Sequence, residues 1–211
     1  MKFALLTAAA MFAAPVAANA ATITNGSFES ASVDPGTGFT PLGLGSTAIT
    51  GWVVGGAGID YIGGYWQAAD GTRSIDLSGG AAGSISQTLT TVLGQAYTVS
   101  FSLAGNPDGG PSSKVLLTLG TPGGLTQADT FDTTGATRAD MNWTTFFYTF
   151  RAASTSTTLT FQSATNTAFG PALDQVAIAA VPEPATWALM IAGVGFTGGA
   201  LRTRRRTAAF A

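Results

Sequence analysis

Residues 21–180 predict an all-β domain, a two-sheet jelly-roll sandwich. Three observations predict it. Apolar residues recur at every second position in short runs. Clusters of Gly, Pro, Asn and Asp separate the runs and preset turns. No stretch between 21 and 180 keeps a helical period. About eight to ten short strands fit this length as one sandwich, and no internal repeat divides it.

Each element follows from its residues. Ile49–Val54 is rich in β-formers. In 73–78, Ile75 and Leu77 share one face, with Ser74 and Asp76 on the other. Ser84–Thr90 groups Ile85, Gln87 and Leu89. Tyr97, Val99, Phe101 and Leu103 share a face, as do Val115, Leu117 and Leu119. In 144–150, Phe146, Tyr148 and Phe150 face one way and Phe147 the other. Leu159 with Phe161, and then 173–178, complete the set. The breaks include Asp34-Pro35-Gly36, Gly55-Gly56, Gly79-Gly80, Asn106-Pro107-Asp108-Gly109-Gly110 and Thr121-Pro122-Gly123-Gly124. Frequent Thr suits half-exposed strands with few charges.

Composition narrows the chemistry. The 211 residues include no His and no Cys. This removes Cys/His zinc sites, Ser-His-Asp and Cys-His catalysis, and disulfides. Any metal must take oxygen ligands, which favours Ca²⁺ or Mg²⁺. Residues 21–180 carry ten acidic side chains against four basic ones, so nucleic acid is not a partner.

Both ends read as addresses. Lys2, the apolar stretch from Phe3 to Ala14 and Ala18-Asn19-Ala20 make residues 1–20 a signal peptide, cut by signal peptidase before Ala21. At the other end, 181–211 opens with the stiff Val181-Pro182-Glu183-Pro184. Residues 185–201 are seventeen without a charge, at the lower limit of a transmembrane helix, and the basic tail 202–211 holds Arg202, Arg204, Arg205 and Arg206. Positive charge stays inside, so this order puts 21–180 outside the membrane.

Pro-Glu-Pro, a marginal span and an Arg cluster, in that order, resemble the PEP-CTERM sorting signal. The resemblance implies an exosortase-type membrane protease that cuts near Pro182-Glu183-Pro184. Val181, Pro182, Glu183, Pro184, Arg204, Arg205 and Arg206 are then what that partner reads. It also implies a host that makes extracellular polysaccharide, and a cell-surface or matrix destination after transient membrane anchoring.

The domain carries a second resemblance. Asn25-Gly26-Ser27-Phe28-Glu29, Ile49-Thr50-Gly51-Trp52-Val53-Val54, Gly58-Ile59-Asp60-Tyr61-Ile62, the 71–79 run, Gly83–Leu89, Tyr97–Pro107 and Phe169–Val176 resemble galactose-binding-like jelly rolls of the choice-of-anchor C family. They are also similar to a domain of unknown function from plant cell-wall proteins. The resemblance implies a sandwich related to carbohydrate-binding modules, often with structural Ca²⁺, and no particular ligand.

Candidate sites follow. Trp52, between apolar strand residues, is expected in the core. Trp66 lies in a Gly-flanked polar segment; with Tyr61, Tyr65 and Arg73 it is the expected ligand-binding set, an aromatic that stacks on a sugar ring or else anchors its loop. Glu29 and Asp174 belong to the first and last strands, which are often neighbours in jelly rolls. They offer Ca²⁺ a carboxylate each, or else make turn and capping hydrogen bonds. Asp60, Asp70 and Asp76 raise a paired-carboxylate hydrolase, but Asp is also a common turn residue. The reading that fits best is an exported, non-enzymatic surface or matrix protein that binds extracellular polysaccharide; the alternatives are a purely structural matrix protein and a polysaccharide hydrolase.

Overall fold

The computed structural model describes residues 21–110, 113–121 and 125–182, with side chains outside 111–126. The expected signal peptide, Glu183, Pro184, the 185–201 span and Arg204, Arg205 and Arg206 lie outside these residues, as do the side chains of Val115, Leu117 and Leu119.

Among the described residues, eleven strands form the expected two sheets. They are β1 (Phe39–Leu42), β2 (Val53–Gly56), β3 (Ile59–Ile62), β4 (Ser74–Asp76), β5 (Gly83–Thr90), β6 (Ala96–Gly105), β7 (Ser113–Thr121), β8 (Leu125–Asp132), β9 (Thr144–Arg151), β10 (Ser156–Ser163) and β11 (Pro171–Ala180). One sheet has the order β1-β3-β4-β11-β6-β9 and the other β2-β5-β10-β7-β8. Every strand pair is antiparallel.

The core lies between the sheets, where the alternation places it. Tyr97, Val99, Phe101 and Leu103 of β6 are buried, as are Ile85 and Leu89 of β5 and Leu159 and Phe161 of β10. The Phe101 and Phe161 rings meet edge-on at 5.1 Å across the gap between the sheets. Phe147 points out as predicted, 62% exposed, while Tyr148 and Phe150 are buried.

Two segments depart from the sequence expectation. The expected strand 49–54 is broken at Gly51, whose φ of +84° turns the chain; only Val53 and Val54 of it enter β2. In β11 the register with β6 shifts between Asp174 and Ala177, and Gln175 takes a φ of +53°. This bulge changes the local twist and re-aims the side chains beside it.

The opening Asn25–Glu29 turn is a structural staple. Trp52 is buried and donates its indole N–H to the Asn25 carbonyl at 3.0 Å. Phe28 is fully buried with its ring 5.3 Å from that of Trp52. Gly26 is required here, because a Cβ would fall 1.9 Å from the Val176 carbonyl oxygen on the bulge. The same close approach lets the Val176 N–H donate to the Gly26 carbonyl at 2.9 Å.

Candidate functional site

The six-stranded sheet has a second face, away from the core, and loops fold back over part of it. Asp60 of β3 stands opposite Asp76 of β4, and Asp76 opposite Ala172 of β11, in one row on that face. A cavity of about 130 Å³ opens above this row. Phe39, Ile62, Tyr65, Trp66 and Phe169 supply apolar walls, and Asp60, Asp76, Asn106 and Asp108 the polar groups. Phe39 and Phe169 are 45% and 40% exposed, so each presents a ring to solvent at the cavity.

The polar groups differ in how fully they are committed. Asp76 is buried, and its Oδ1 accepts from the Ser78 and Gly170 N–H groups at 2.9 and 3.2 Å. Its Oδ2 accepts from Asn106 Nδ2 at 2.8 Å. Asp76 therefore ties three chain segments together. Burial pushes its carboxyl up to about 7 against these donors, and the Asp60 charge across the strand pair pushes the same way. Asp60 is half-buried, and its carboxylate has no hydrogen-bond partner among the described residues; burial raises it too. Arg138 grips Asp108 with two N–H···O bonds of 2.9 and 2.8 Å and holds that carboxyl below the usual range. Tyr65 donates its hydroxyl to Asp108 at 2.6 Å, and the Arg138 guanidinium sits 4.0 Å above the Tyr65 ring. The free carboxylate at the cavity is Asp60.

The expected ligand-binding set is only partly brought together. Tyr65 and Trp66 reach the cavity. Trp66 is 5% exposed and donates its indole N–H to Ser74 Oγ at 2.8 Å, so it is a wall and a loop anchor, and not the expected open platform. Tyr61 points into the core, 1% exposed, and donates its hydroxyl to the Phe28 carbonyl at 2.7 Å; no ligand reaches it. Arg73 pairs with Asp34 at 2.9 Å away from the cavity lining. Of the candidate carboxylates Asp60, Asp70 and Asp76, the first and last line the cavity, while Phe39, Asn106, Asp108 and Phe169 were missed as cavity residues. Phe39 and Phe169 are each next to a Gly, but nothing in the sequence separates them from buried phenylalanines.

Glu29 and Asp174 do meet one loop, but not as the expected first and last strands: Glu29 lies outside the strands, and β3 and β4 separate β1 from β11. Glu29 Oε1 accepts from the Thr72 and Arg73 N–H groups, both at 2.7 Å, and Oε2 from the Thr72 hydroxyl at 2.9 Å. Asp174 Oδ2 accepts from the Ala69 and Asp70 N–H groups at 2.8 and 2.9 Å, and Oδ1 from Gln175 N–H at 2.6 Å. The two acids thus hold the 69–73 loop from both ends. Asp174 is fully buried, and desolvation pushes its carboxyl up to about 7. Neither acid has an ion-pair partner among the described residues. A carboxylate offers about four lone pairs, so Glu29 Oε2 and Asp174 Oδ1 each retain one. The spare lone pairs are all on oxygen, the donor type a hard cation takes, and no cluster of three or more acids that could hold a metal ion occurs among the described residues.

Asp76 and Asp174 fix the sign of the pH response. Their folded pKa values near 7 stand above the ordinary 3.8. The folded chain therefore holds protons that the unfolded chain has lost, and stability falls as pH rises through 7. Thermal melts from pH 5 to pH 8 should show a falling midpoint, and Asp76→Asn should flatten the slope. A midpoint that rises over this range contradicts the assignment.

Comparisons with known proteins follow the same division of the chain. Residues 180–206 match the PEP-CTERM protein-sorting motif, which marks the chain for export and surface sorting. Halomucin from Haloquadratum walsbyi is 35% identical over 167 residues, which is 77% of this chain; the chain spans 2% of that protein's length. A family 35 carbohydrate-binding module from Clostridium thermocellum is similar at a TM-score of 0.46 and 12% identity, over 66% of this chain and 97% of that one. A xylan-binding domain from Paenibacillus barcinonensis gives 0.46 and 18%, over 81% and 99%. An arabinose-bound α-L-arabinofuranosidase gives 0.48 and 14%, over 79% and 27%. Across residues 21–179 the chain belongs to the family described as Protein of unknown function (DUF642).

Proposed function

We propose that this is a non-enzymatic glycan-binding protein of the cell surface or extracellular matrix, and that the cavity beside Asp60 holds one ring of a neutral polysaccharide. The exposed rings of Phe39 and Phe169 at a cavity that also offers a free carboxylate carry this reading. A sugar has an apolar C–H face and a hydroxyl rim. Aromatic rings take the first, and a carboxylate accepts from the second. The cavity is smaller than the clefts of roughly 300–1,000 Å³ that bury a drug-sized ligand, which suits one ring of a chain lying across it. Asp60 and Asp108 repel uronates and sulfated sugars, because Arg138, the cation beside the cavity among the described residues, is spent on Asp108.

Hydrolysis fits less well. A glycosidase needs one acid to move a proton and a second as base or nucleophile. Asp76 is the neighbour of Asp60, but it is buried and accepts three hydrogen bonds that hold loops in place.

In this reading the chain is exported by signal peptidase cleavage before Ala21. An exosortase-type protease then recognises Val181–Pro184 and the Arg cluster, while residues 185–201 anchor the chain transiently in the membrane. Ca²⁺ would be held by Glu29 and Asp174, where it would offset two acids that no basic side chain pairs with.

Three measurements test this. Binding of neutral oligosaccharides should be saturable, and Phe39→Ala should weaken it by about tenfold, the loss of ~1.4 kcal/mol expected for one aromatic contact; equal binding by the variant contradicts the site. Millimolar Ca²⁺ should raise the melting midpoint relative to chelator, since a ligand of the folded state alone must stabilise it; an unchanged midpoint removes the metal. Intact-mass analysis of the secreted form should show loss of the chain after about Val181, and retention of Arg202–Arg206 in an exosortase-bearing host speaks against sorting.

A further inference from the structure

The end of the sandwich opposite the cavity carries an apolar tip beside the point where the chain leaves the domain. Eight large apolar side chains are exposed among the described residues, and three of them meet here: Val92 (40% exposed), Leu93 (66%) and Val181 (37%). Val92 and Leu93 form the turn between β5 and β6. Val181 follows the last residue of β11.

The tip is built to keep these side chains outside. The Gln95 N–H donates to the Val92 carbonyl at 3.0 Å, and Gly94 takes the turn's φ of +81°. The Val92 N–H donates to the Tyr97 hydroxyl at 3.0 Å, and Tyr97 is itself buried. The Gly94 N–H donates to the Ala152 carbonyl, and the Ala152 N–H to that of Gln95, at 2.7 and 2.9 Å. The backbone of the turn is thus fixed on two sides, and its two apolar side chains stay on the surface. Exposed apolar side chains mark a contact surface when they cluster, where single ones do not, and Val92 and Leu93 are adjacent.

The exit of the chain is tied to the same turn. The Val181 N–H donates to the Ala96 carbonyl at 2.8 Å, and Gln95 Nε2 donates to the Val181 carbonyl at 2.7 Å. From Val181 to Ala185 there are four residues, a reach of at most about 14 Å even when fully extended. Headgroups occupy roughly 5–8 Å of each side of a bilayer. Residues 185–201 carry no charge. If they cross the membrane, so short a tether cannot hold the tip far from the surface. The charge at this end is close to balanced. Residues 90–96 and 151–156 contain Arg151 and no acid, Arg151 donates to the Gly94 carbonyl at the turn, and Glu183 follows in the tether. The apolar side chains and the short tether therefore carry the docking.

We propose that, before processing, Val92 and Leu93 dip into the outer headgroup layer of the membrane and dock the domain upright on it. The proposal rests on the reading of residues 185–201 as the anchor. Its consequence is orientation. β6 runs from Ala96 at the tip to Gly105, next to the cavity residue Asn106, a distance of roughly 33 Å for ten residues. Docking by the tip therefore points the Asp60 cavity away from the lipid and toward the matrix.

The chain has no cysteine, so a single one can carry an environment-sensitive fluorophore. The full chain is reconstituted in vesicles of phosphatidylethanolamine with a minority of phosphatidylglycerol. One sample is labelled at Leu93→Cys, and another at Ala139→Cys, an exposed position outside the tip. The expected result is blue-shifted emission from the Leu93 label and loss of most of its intensity to nitroxide-bearing lipid, with neither change at Ala139. Chain that floats with the vesicles while both labels read as aqueous overturns the docking and leaves the anchor standing. Chain that does not float with the vesicles overturns the anchor, and the docking with it.

Discussion

Nine residues of β6, Tyr97–Gly105, lie against the ten of β11, and this antiparallel pair is the spine to which the rest of the domain attaches. At one end, Asn106 follows β6, and its N–H donates to the carbonyl of Gly170, which precedes β11. The same two residues donate to Asp76, so the ladder and the cavity wall share their fastenings. At the other end, Val181 continues the ladder by its bond to Ala96. A change in the pairing of β6 and β11 would therefore move both the site and the exit of the chain.

The domain uses buried acids where other proteins use hydrophobic plugs or disulfides. Asp76 and Asp174 each accept three hydrogen bonds, almost all from backbone N–H groups. A buried carboxylate is costly unless its lone pairs are filled. Filling them from loops joins the two requirements: the acid is satisfied only when the loops are in place. Asp174 shares a face with Ala172 by the strand's period of two and meets its loop there, just ahead of the bulge at Gln175. Asp60 differs in having its carboxylate open to the cavity, so its lone pairs are left for a ligand.

Much of the fold was legible in the residues. The alternation in β5, β6, β9 and β10 separates inward from outward side chains without knowledge of the partner strand, because a strand has a period of two. Trp52 was readable as core from its size and apolar neighbours, although the chain turns at Gly51 and Trp52 lies outside β2. The site was less legible, because its parts meet only through register. Nothing local announces that Asp60 faces Asp76, or that Phe39 and Phe169, 130 positions apart in the chain, line one cavity. Tyr61 and Trp66 show the limit most clearly. Tyr61 alternates inward along β3, while Trp66 sits in a polar, Gly-flanked loop that reads as open; whether such a loop folds back onto its own sheet depends on the distant acids Glu29 and Asp174 that hold it. The expected meeting of first and last strands does not bring those two acids together, since Glu29 lies outside the strands and β3 and β4 separate β1 from β11; the loop they share was not readable.

We read these features as a display device, with the cavity at one end of the β6–β11 ladder and, at the other, the point where the chain leaves toward its sorting motif. The most direct measurement is the crystal structure of residues 21–182 with a neutral oligosaccharide bound. The account predicts a sugar ring between Phe39 and Phe169, with a hydroxyl donating to the Asp60 carboxylate. A saccharide seated on the outer face of the β2-β5-β10-β7-β8 sheet, with the Asp60 cavity left empty, would contradict it.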